Sequence, residues 1–387
     1  MNLILLSLHS IMNSTKHLYR KLQEHLDKLP IGFPATESGV ELRILKHLFK
    51  PFEAKLALCL SLGNASVATV QKRMKHKYNE ELEHSIVSDT LESMYLGGSI
   101  NRSKSKPYKY SNAMLAIGMF EFQLGNLTKE FMEMLHQYFD EGFNDEFFRS
   151  SLPQLRASPH LNAIVPEYNI ATYDNMRKVV KESDQTIAVA NCVCKEGEAL
   201  LGKSCKQTSD IEVCISFGAS AYLDRGQARI ISKDECLGIL DRAEKEGLVL
   251  QPGNSLQPFC ICLCCGCCCG VLTSAKKYGK PSELIAHNFY AQINTEECNG
   301  CSVCAKRCQT DAIHMVDKKA VVNLDNCIGC GLCIVTCKKG ALHLKDKKKK
   351  TIPPKNAVML YLSILSEKVG KRKMMANMLN LLLGKQI

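Results

Sequence analysis

A four-cysteine run that occurs twice is the feature that most constrains this chain. The first run, with the spacing C-x2-C-x2-C-x3-C, comprises Cys298, Cys301, Cys304 and Cys308. The second run has the same spacing 29 residues later and comprises Cys327, Cys330, Cys333 and Cys337. Four other identities share this offset: Asn294/Asn323, Gly300/Gly329, Ala312/Ala341 and His314/His343. The segment is therefore an internal duplication, and both halves must fold around the same kind of ligand set.

The spacing within each run suits a four-iron cube. Three closely spaced thiolates can surround one cube while the chain turns tightly, and the fourth cysteine follows a longer step and reaches the other cube. The ligands predicted for the first 4Fe-4S cluster are Cys298, Cys301, Cys304 and Cys337. Those predicted for the second are Cys327, Cys330, Cys333 and Cys308. This crossed pattern ties the two halves into one unit.

In these runs, residues 291–346 resemble the bacterial-type two-cluster ferredoxins, which implies an α+β fold with two 4Fe-4S clusters. The proline that usually follows the fourth cysteine is replaced by Gln309 and Lys338. That change concerns the local backbone and the reduction potential, since proline is not a ligand. Zinc is the alternative metal, but structural zinc sites use cysteine pairs separated by a longer loop. A c-type haem is excluded because no C-x-x-C is followed by His.

Cysteine accounts for 21 of the 387 residues, and twenty of the 21 lie between Cys192 and Cys337. No run of 18 uncharged apolar residues is present, so we expect no membrane span. The apolar residues 1–12 lack the basic start and the cleavage site of a signal peptide. We therefore expect a cytoplasmic protein whose thiols bind metal and do not form disulfides.

The middle of the chain holds a second group of candidate ligands. Seven cysteines fall within residues 260–269, which is too dense for packing alone. The ten tentative ligands are Cys192, Cys194, Cys205, Cys214, Cys262, Cys264, Cys265, Cys267, Cys268 and Cys269. Because the two ferredoxin-like runs lie nearby, iron–sulfur clusters are favoured over zinc. One or two further clusters are expected here, with the individual ligands left open.

The N-terminal region is predicted to be helical. Three helical stretches precede a short polar hairpin, in the order of a winged-helix domain: residues 51–62, 66–77 and 79–96. The third helix of such domains often enters the major groove of DNA. Here residues 79–96 carry five acidic side chains and no Lys or Arg, although basic residues flank them. Because this charge repels phosphate, DNA binding is not expected, and a docking or scaffold role is favoured.

Further stretches are similar to a family of uncharacterised iron–sulfur proteins from anaerobes. They are GFPATESGVELRILK at 32–46, NCVCK at 191–195, GQAR at 226–229, EGLV at 246–249 and CLCCGCCC at 262–269. This resemblance covers nearly the whole chain and implies a winged-helix-like domain joined to a ferredoxin module. It implies no established reaction. Cys59, Cys236 and Cys260 lie outside the family pattern and are predicted not to be ligands.

The net charge of +11 resides at the end of the chain. Residues 338–387 contain thirteen Lys or Arg and two acidic residues, so the rest of the chain sums to zero. The stretches after Pro353-Pro354 are amphipathic. Such segments usually pack on their own protein, but they can also contact an acidic partner or an anionic membrane surface. We favour packing within the protein or an acidic redox partner.

The predicted architecture is multidomain α+β. Its parts are an N-terminal helix (1–30), a helical winged-helix-like domain (31–150), a central Cys-rich α/β module (170–290), a dicluster ferredoxin domain (291–346) and a basic amphipathic tail (347–387). No phosphate-binding loop, dinucleotide fingerprint or HExxH motif is present, so no catalytic residue is assigned. The favoured function is electron transfer to or from a partner oxidoreductase. The alternatives are a redox-sensing transcriptional regulator and an oxidoreductase subunit with a catalytic central cluster.

Overall fold

The computed structural model describes residues 15–164, 171–370 and 372–374. The beginning of the predicted N-terminal helix and most of the second amphipathic stretch of the tail lie outside these residues. The chain divides into two compact units: one holds the described residues up to Ser151 and from Leu362 onward, the other Leu152–Tyr361. Both contain helices and strands, which confirms the mixed class. Within the described ranges, no helix is long and apolar enough to cross a membrane.

The first unit begins with helical residues 15–26, labelled α1. The elements that follow are α2 (Val40–Leu48), α3 (Pro51–Ala57), β1 (Ala65–Ser66), α4 (Val67–Tyr78), α5 (His84–Leu96), β2 (Ile100–Arg102), β3 (Lys109–Asn112), α6 (Lys129–Tyr138) and α7 (Asn144–Phe147). The three strands form one antiparallel sheet in the order β1-β3-β2. Helix α1 buries Leu22 and Leu26, one helical turn apart, as the spacing of its leucines predicts.

The helix predicted over residues 79–96 is shorter than expected. Asn79 adopts a left-handed backbone conformation (φ 57°) that ends α4, and helix resumes only at His84. Helix α5 itself carries two acidic residues, Asp89 and Glu92. The other three precede it: Glu80, Glu81 and Glu83. The prediction of five acidic charges on one helix is therefore wrong, because a local break in the backbone separates them.

The second unit starts with α8 (Met176–Glu182) after a stretch of turns. The elements that follow are β4 (Ile187–Ala190), α9 (Val193–Leu200), β5 (Cys214–Phe217), α10 (Ser220–Asp224), β6 (Ala228–Ile231), α11 (Lys233–Glu246), β7 (Val249–Pro252), β8 (Cys260–Cys264), α12 (Gly270–Lys277), α13 (Pro281–Leu284), β9 (Phe289–Ile293), α14 (Val303–Arg307), β10 (Ile313–Val316), β11 (Lys319–Val322), α15 (Leu332–Val335), β12 (Leu342–Asp346) and α16 (Ala357–Val369). The boundary between the two units falls within α16.

A five-stranded antiparallel sheet in the order β6-β4-β5-β8-β7 forms the central module. Helix α11 is capped by Ser232, whose Oγ accepts a hydrogen bond from the Glu235 backbone N–H at 3.0 Å. It buries Ile239 and Leu240 in the core of the sheet. Cys214, the first residue of β5, lies opposite both Ala190 and Cys262. The carboxyl ends of β4 and β8 therefore lie at the same end of the sheet.

The duplicated segment folds as two matching halves. The hairpin of β10 and β11 accompanies the first half, β9 pairs with β12, and helices α14 and α15 contain the third cysteine of their runs. Gly300 and Gly329 occupy the same place in each half with positive φ angles of 76° and 63°. A side chain at either position would clash with a backbone carbonyl oxygen. Both halves therefore require glycine inside the first C-x2-C.

The first part of the tail packs within the protein. Helix α16 buries Ile364 and Leu365, and the Lys368 ammonium donates hydrogen bonds to the Asp27 carbonyl oxygen at 2.6 Å and to Glu146 Oε1 at 2.7 Å. Lys368 is thus one basic residue of the tail that is already neutralised inside the first unit.

Candidate metal centres

Two cavities divide the eight cysteines of the duplicated runs. The first is lined by Cys298, Cys301, Cys304 and Cys337. The second is lined by Cys308, Cys327, Cys330 and Cys333. In each cavity, three cysteines of one run meet the last cysteine of the other run. The structure therefore brings together the two sets of side chains that the spacing predicts as ligands.

Backbone amides point at several of these sulfurs. The Ala291 N–H lies 3.3 Å from Cys327 Sγ, and the Ala312 N–H lies 3.2 Å from Cys308 Sγ. Hydrogen bonds from the Ala320 and Gly300 backbone N–H groups lower the pKa of Cys298. Such N–H donors stabilise sulfur in its anionic form, which is the form that binds metal. Thiol donors that line a cavity and accept amide hydrogen bonds fit an iron–sulfur cluster.

The two cavities differ in their exposure to solvent. Cys301 of the first cavity is exposed, whereas Cys327 and Cys333 of the second are buried. Burial raises the pKa values of Cys327 and Cys333, and it raises the pKa of Cys330 to about 12. The raised pKa values favour the protonated thiols, so metal binding must displace their protons.

Comparison with known protein families identifies the same segment of the chain. Residues 290–338 match the model of the 4Fe-4S dicluster domain. The match includes all eight cysteines of the two cavities, so this part of the protein is a dicluster domain with iron–sulfur clusters as its implied cofactors. No curated protein and no solved structure gives a significant match to the chain.

Outside the dicluster domain, the central module holds a compact group of four thiols. Its members are Cys205, Cys265, Cys267 and Cys268, and their sulfurs all lie within 4.8 Å of one another. Cys205 Sγ is 3.7 Å from Cys265 Sγ and 3.9 Å from Cys267 Sγ. The Cys267 and Cys268 sulfurs are 3.6 Å apart. We refer to these four residues as the Cys205 group.

Lys195 is a site residue that the sequence reasoning did not identify. Its side chain is buried at 3% exposure, and its Nζ lies 2.9 Å from Cys205 Sγ and 3.6 Å from Cys265 Sγ. Burial alone raises the pKa of Cys205, but the hydrogen bond from Lys195 and two backbone N–H groups outweigh it and lower that pKa. The only available signal was a lysine directly after Cys194 in the NCVCK stretch.

A second thiol group lies at the end of the sheet where both β4 and β8 terminate. Its core members are Cys192, Cys194, Cys264 and Cys269, which we call the Cys192 group. Cys192 occupies the N-cap position of α9, and Cys269 that of α12. Hydrogen bonds from Cys194 and Cys264 lower the pKa values of Cys192 and Cys269, respectively, and backbone N–H groups of the two helices add to this. Helix N-termini favour thiolates for the same electrostatic reason.

The remaining cysteines outside the dicluster domain either adjoin the Cys192 group or belong to neither group. Cys262 hydrogen-bonds with Cys214, Cys260 and Cys264, so the Cys192 group continues along the sheet. The structure thus places Cys260 beside predicted ligands. Cys59 and Cys236 are fully buried, and burial raises their pKa values to about 11 and about 12. Cys236 packs in the same core as Cys265 and Cys268 but is not one of the four closely spaced sulfurs. That these two are not ligands stays a prediction.

The dicluster domain and the Cys205 group are in direct contact through Gln309. The Gly266 backbone N–H donates a 2.8 Å hydrogen bond to Gln309 Oε1. A side chain at Gly266 would clash with the Gln309 carbonyl oxygen. Gln309 follows Cys308 of the second cavity, and Gly266 lies between Cys265 and Cys267. The residue that replaces the usual proline therefore joins two candidate metal centres.

Proposed function

We propose that this chain is an electron-transfer protein in which the dicluster domain binds two 4Fe-4S clusters with crossed ligation. Cys298, Cys301, Cys304 and Cys337 hold the first cluster in this proposal, and Cys327, Cys330, Cys333 and Cys308 hold the second. The observation that carries it is the division of the eight cysteines between two cavities in these sets. When bound, such clusters supply one-electron redox chemistry.

The two cavities have different roles in this proposal. The first contains the exposed Cys301, so a partner can approach it closely. The second contains the buried Cys327 and Cys333, and the residue after its Cys308, Gln309, contacts Gly266 of the central module. We infer that electrons are exchanged with the partner at the first cavity and reach the central module through the second.

The central module holds additional metal in this proposal. The Cys192 group, extended by Cys214 and Cys262, is the candidate site for a further iron–sulfur cluster. Its sulfurs lie at two helix N-termini and beside a sheet whose core excludes water. Low local dielectric strengthens each amide-to-sulfur interaction, which stabilises bound thiolates.

An acidic partner protein fits the charge around the first cavity. Residues 291–350 contain eleven Lys or Arg and six Asp or Glu. Lys339 lines the first cavity, and both Lys338 and Lys339 are exposed. Exposed lysines beside an electron exit increase the association rate of an acidic protein. The many free thiols also require a reducing compartment, so a cytoplasmic location remains part of the proposal.

For the first unit we propose a winged-helix-like docking module. The order α3-β1-α4-α5-β2-β3 is that of a winged helix. Two of its cations are engaged within the protein: Arg102 pairs with Glu92 and stacks on Tyr108, with 3.9 Å between the guanidinium carbon and the ring centre. Lys55 Nζ lies 2.6 Å from Glu80 Oε1. Helix α5, the third helix of this order, carries Asp89 and Glu92 and no Lys or Arg, so DNA binding and the regulator alternative are not favoured.

Iron and sulfide counting tests the proposal. We expect the anaerobically purified full chain to contain at least eight irons and eight labile sulfides, and to show spectra of reduced four-iron clusters by electron paramagnetic resonance. Recovery of zinc without sulfide would contradict it. Reduced protein should also pass electrons to an added one-electron acceptor. If the cluster-loaded protein transfers no electrons, the clusters have only a structural role.

A further inference from the structure

The Cys205 group differs from the dicluster cavities in the distances between its sulfurs. Three of its sulfur pairs are 3.6, 3.7 and 3.9 Å apart. Throughout the described part of the chain, it is the one set of three or more metal-binding side chains whose ligand atoms all lie within 4.8 Å of one another. The eight cysteines of the dicluster domain are also described, so their sulfurs are more widely separated.

Sulfur spacing distinguishes a single ion from a cube. Four sulfurs arranged tetrahedrally around one ion at about 2.3 Å lie about 3.8 Å from each other. In a four-iron cube each thiolate binds a different iron, so the thiolates stand further apart. We propose that Cys205, Cys265, Cys267 and Cys268 bind one divalent ion, Zn²⁺ or Fe²⁺, in a closed tetrahedral site. Tetrahedral sulfur coordination favours these metals.

The surroundings of the four sulfurs meet the electrostatic needs of such a site. Four thiolates and one divalent ion carry a charge of about −2, and burial makes that charge costly. The Lys195 ammonium is buried against Cys205 and Cys265 and offsets part of it. The Lys206 backbone N–H lies 3.4 Å from Cys267 Sγ and contributes a further donor. Lys195 is therefore a positioning residue that holds the sulfurs through charge-assisted hydrogen bonds.

The chain topology explains how this site forms. Cys265, Cys267 and Cys268 follow β8, while Cys205 lies in the loop after α9, which itself follows β4. Because β4 and β8 terminate at the same end of the sheet, the two loops meet there. The site thereby fastens the loop after α9 to the segment that contacts Gln309. This inference deepens the proposed function of the central module and does not depend on the clusters of the dicluster domain.

The wild-type protein gives the first test. The full chain, purified anaerobically, is assayed for iron, zinc and labile sulfide, and X-ray absorption is recorded at the zinc and iron edges. We expect one ion per chain beyond the iron that sulfide accounts for, with four sulfur ligands at about 2.3 Å. The absorption edge that reports this ion identifies it as zinc or iron. Iron and sulfide in equal amounts with no additional ion would overturn the proposal.

Variants locate the ion. Cys205→Ser and Cys268→Ser should each lose one ion per chain and leave labile sulfide unchanged. Cys236→Ala is the matched control, because this buried cysteine is not one of the four closely spaced sulfurs, and it should retain the ion. Loss of four irons together with four sulfides would show that these cysteines bind a cube, which would overturn the proposal. An unchanged metal content would also overturn it. Failure of the proposed dicluster function would appear differently, as fewer than eight sulfides in the wild type. If a variant does not fold, the wild-type stoichiometry still decides the question.

Discussion

The dicluster domain and the central module arrange their cysteine side chains differently. In the dicluster domain, eight cysteines line two cavities with sulfurs held apart. In the central module, the Cys205 group brings four sulfurs within 4.8 Å of one another, with a lysine against them. The number of cysteines is therefore a poor guide to the kind of site. What distinguishes the two regions is whether the backbone leaves room for a cube between the sulfurs.

The strongest test of this comparison is the crossed ligation of the dicluster domain. We expect Cys308→Ser to remove the same cluster as Cys330→Ser, and Cys337→Ser to remove the same cluster as Cys298→Ser. Each change should cost about four of the eight irons in the domain, because a cube loses its anchoring when a ligand is removed. Iron counts and the resonance spectrum of the remaining cluster measure the effect. A Cys308→Ser protein that resembles Cys298→Ser would show that each run binds its own cube.

Lys195 sharpens the comparison at the central site. Lys195→Met keeps most of the side-chain volume but removes the cation from Cys205 and Cys265. Partners of this kind typically change metal affinity 10- to 100-fold, so we expect a loss of about that size. Competition with a chelator of known affinity measures it. Lys206→Met is the control, since Lys206 is exposed and its backbone amide is retained. Equal affinities in the two variants would mean that the buried cation does not support the site.

Gly266 tests the contact between the two regions. A Cβ in Gly266→Ala would clash with the Gln309 backbone carbonyl oxygen, which cannot move as a flexible side chain would. We expect a loss of about 1–3 kcal/mol in the free energy of unfolding, together with slower electron transfer between the dicluster domain and the central module.

The matched control for that variant is Gly238→Ala in helix α11. No atom lies within 4 Å of the added Cβ there, and alanine favours helix. Gly238→Ala should leave the free energy of unfolding unchanged or raise it by up to about 1 kcal/mol. Anaerobic denaturant unfolding compares the two. If Gly266→Ala proved as stable as the control, the contact with Gln309 would be dispensable.

The smallest expected effect concerns the lysines near the first cavity. Replacing Lys338 and Lys339 with Gln should slow oxidation by anionic ferricyanide severalfold at low salt, because these side chains attract an anion to the exposed cavity. The difference should disappear at high salt, where the screening length falls to a few ångströms. Oxidation by a neutral quinone should not change. A ferricyanide rate that is unaffected at low salt would remove the steering role.

The cluster of lysines after β12 supplies the comparison variant. Lys348 and Lys349 are exposed, whereas Lys347 is partly buried with its Nζ 3.4 Å from His287 Nε2, and Lys350 Nζ lies 3.1 Å from Asp346 Oδ2. We therefore expect replacement of Lys348 and Lys349 with Gln to test steering without disturbing structure. If this pair had a larger effect than Lys338 and Lys339, the partner would approach from the side of β12.

The sequence by itself determined the composition of the two dicluster sets. Three cysteines of each predicted set are local within one run, so their spacing reports how the chain can surround a cube. The duplication shows that the runs share one geometry, and the fourth cysteine of each set comes from the other run. It also indicated that the density of cysteines within residues 260–269 exceeds what packing requires. Helix periodicity was similarly readable, apart from the break at Asn79, where a single left-handed residue interrupts the pattern.

Only the tertiary structure decided which of the middle cysteines lie close together. Cys205 lies 60 residues before Cys265, and no spacing rule connects them. The order β6-β4-β5-β8-β7 brings the loops after β4 and β8 to one side of the sheet and so places them together. The roles of Lys195 and Gln309 have the same origin, since a buried charge or a hydrogen bond to a backbone amide depends on which distant segment packs against it. Cysteines that are local along the chain can be grouped from their spacing, whereas groups that a sheet assembles from distant segments are visible only in the tertiary structure.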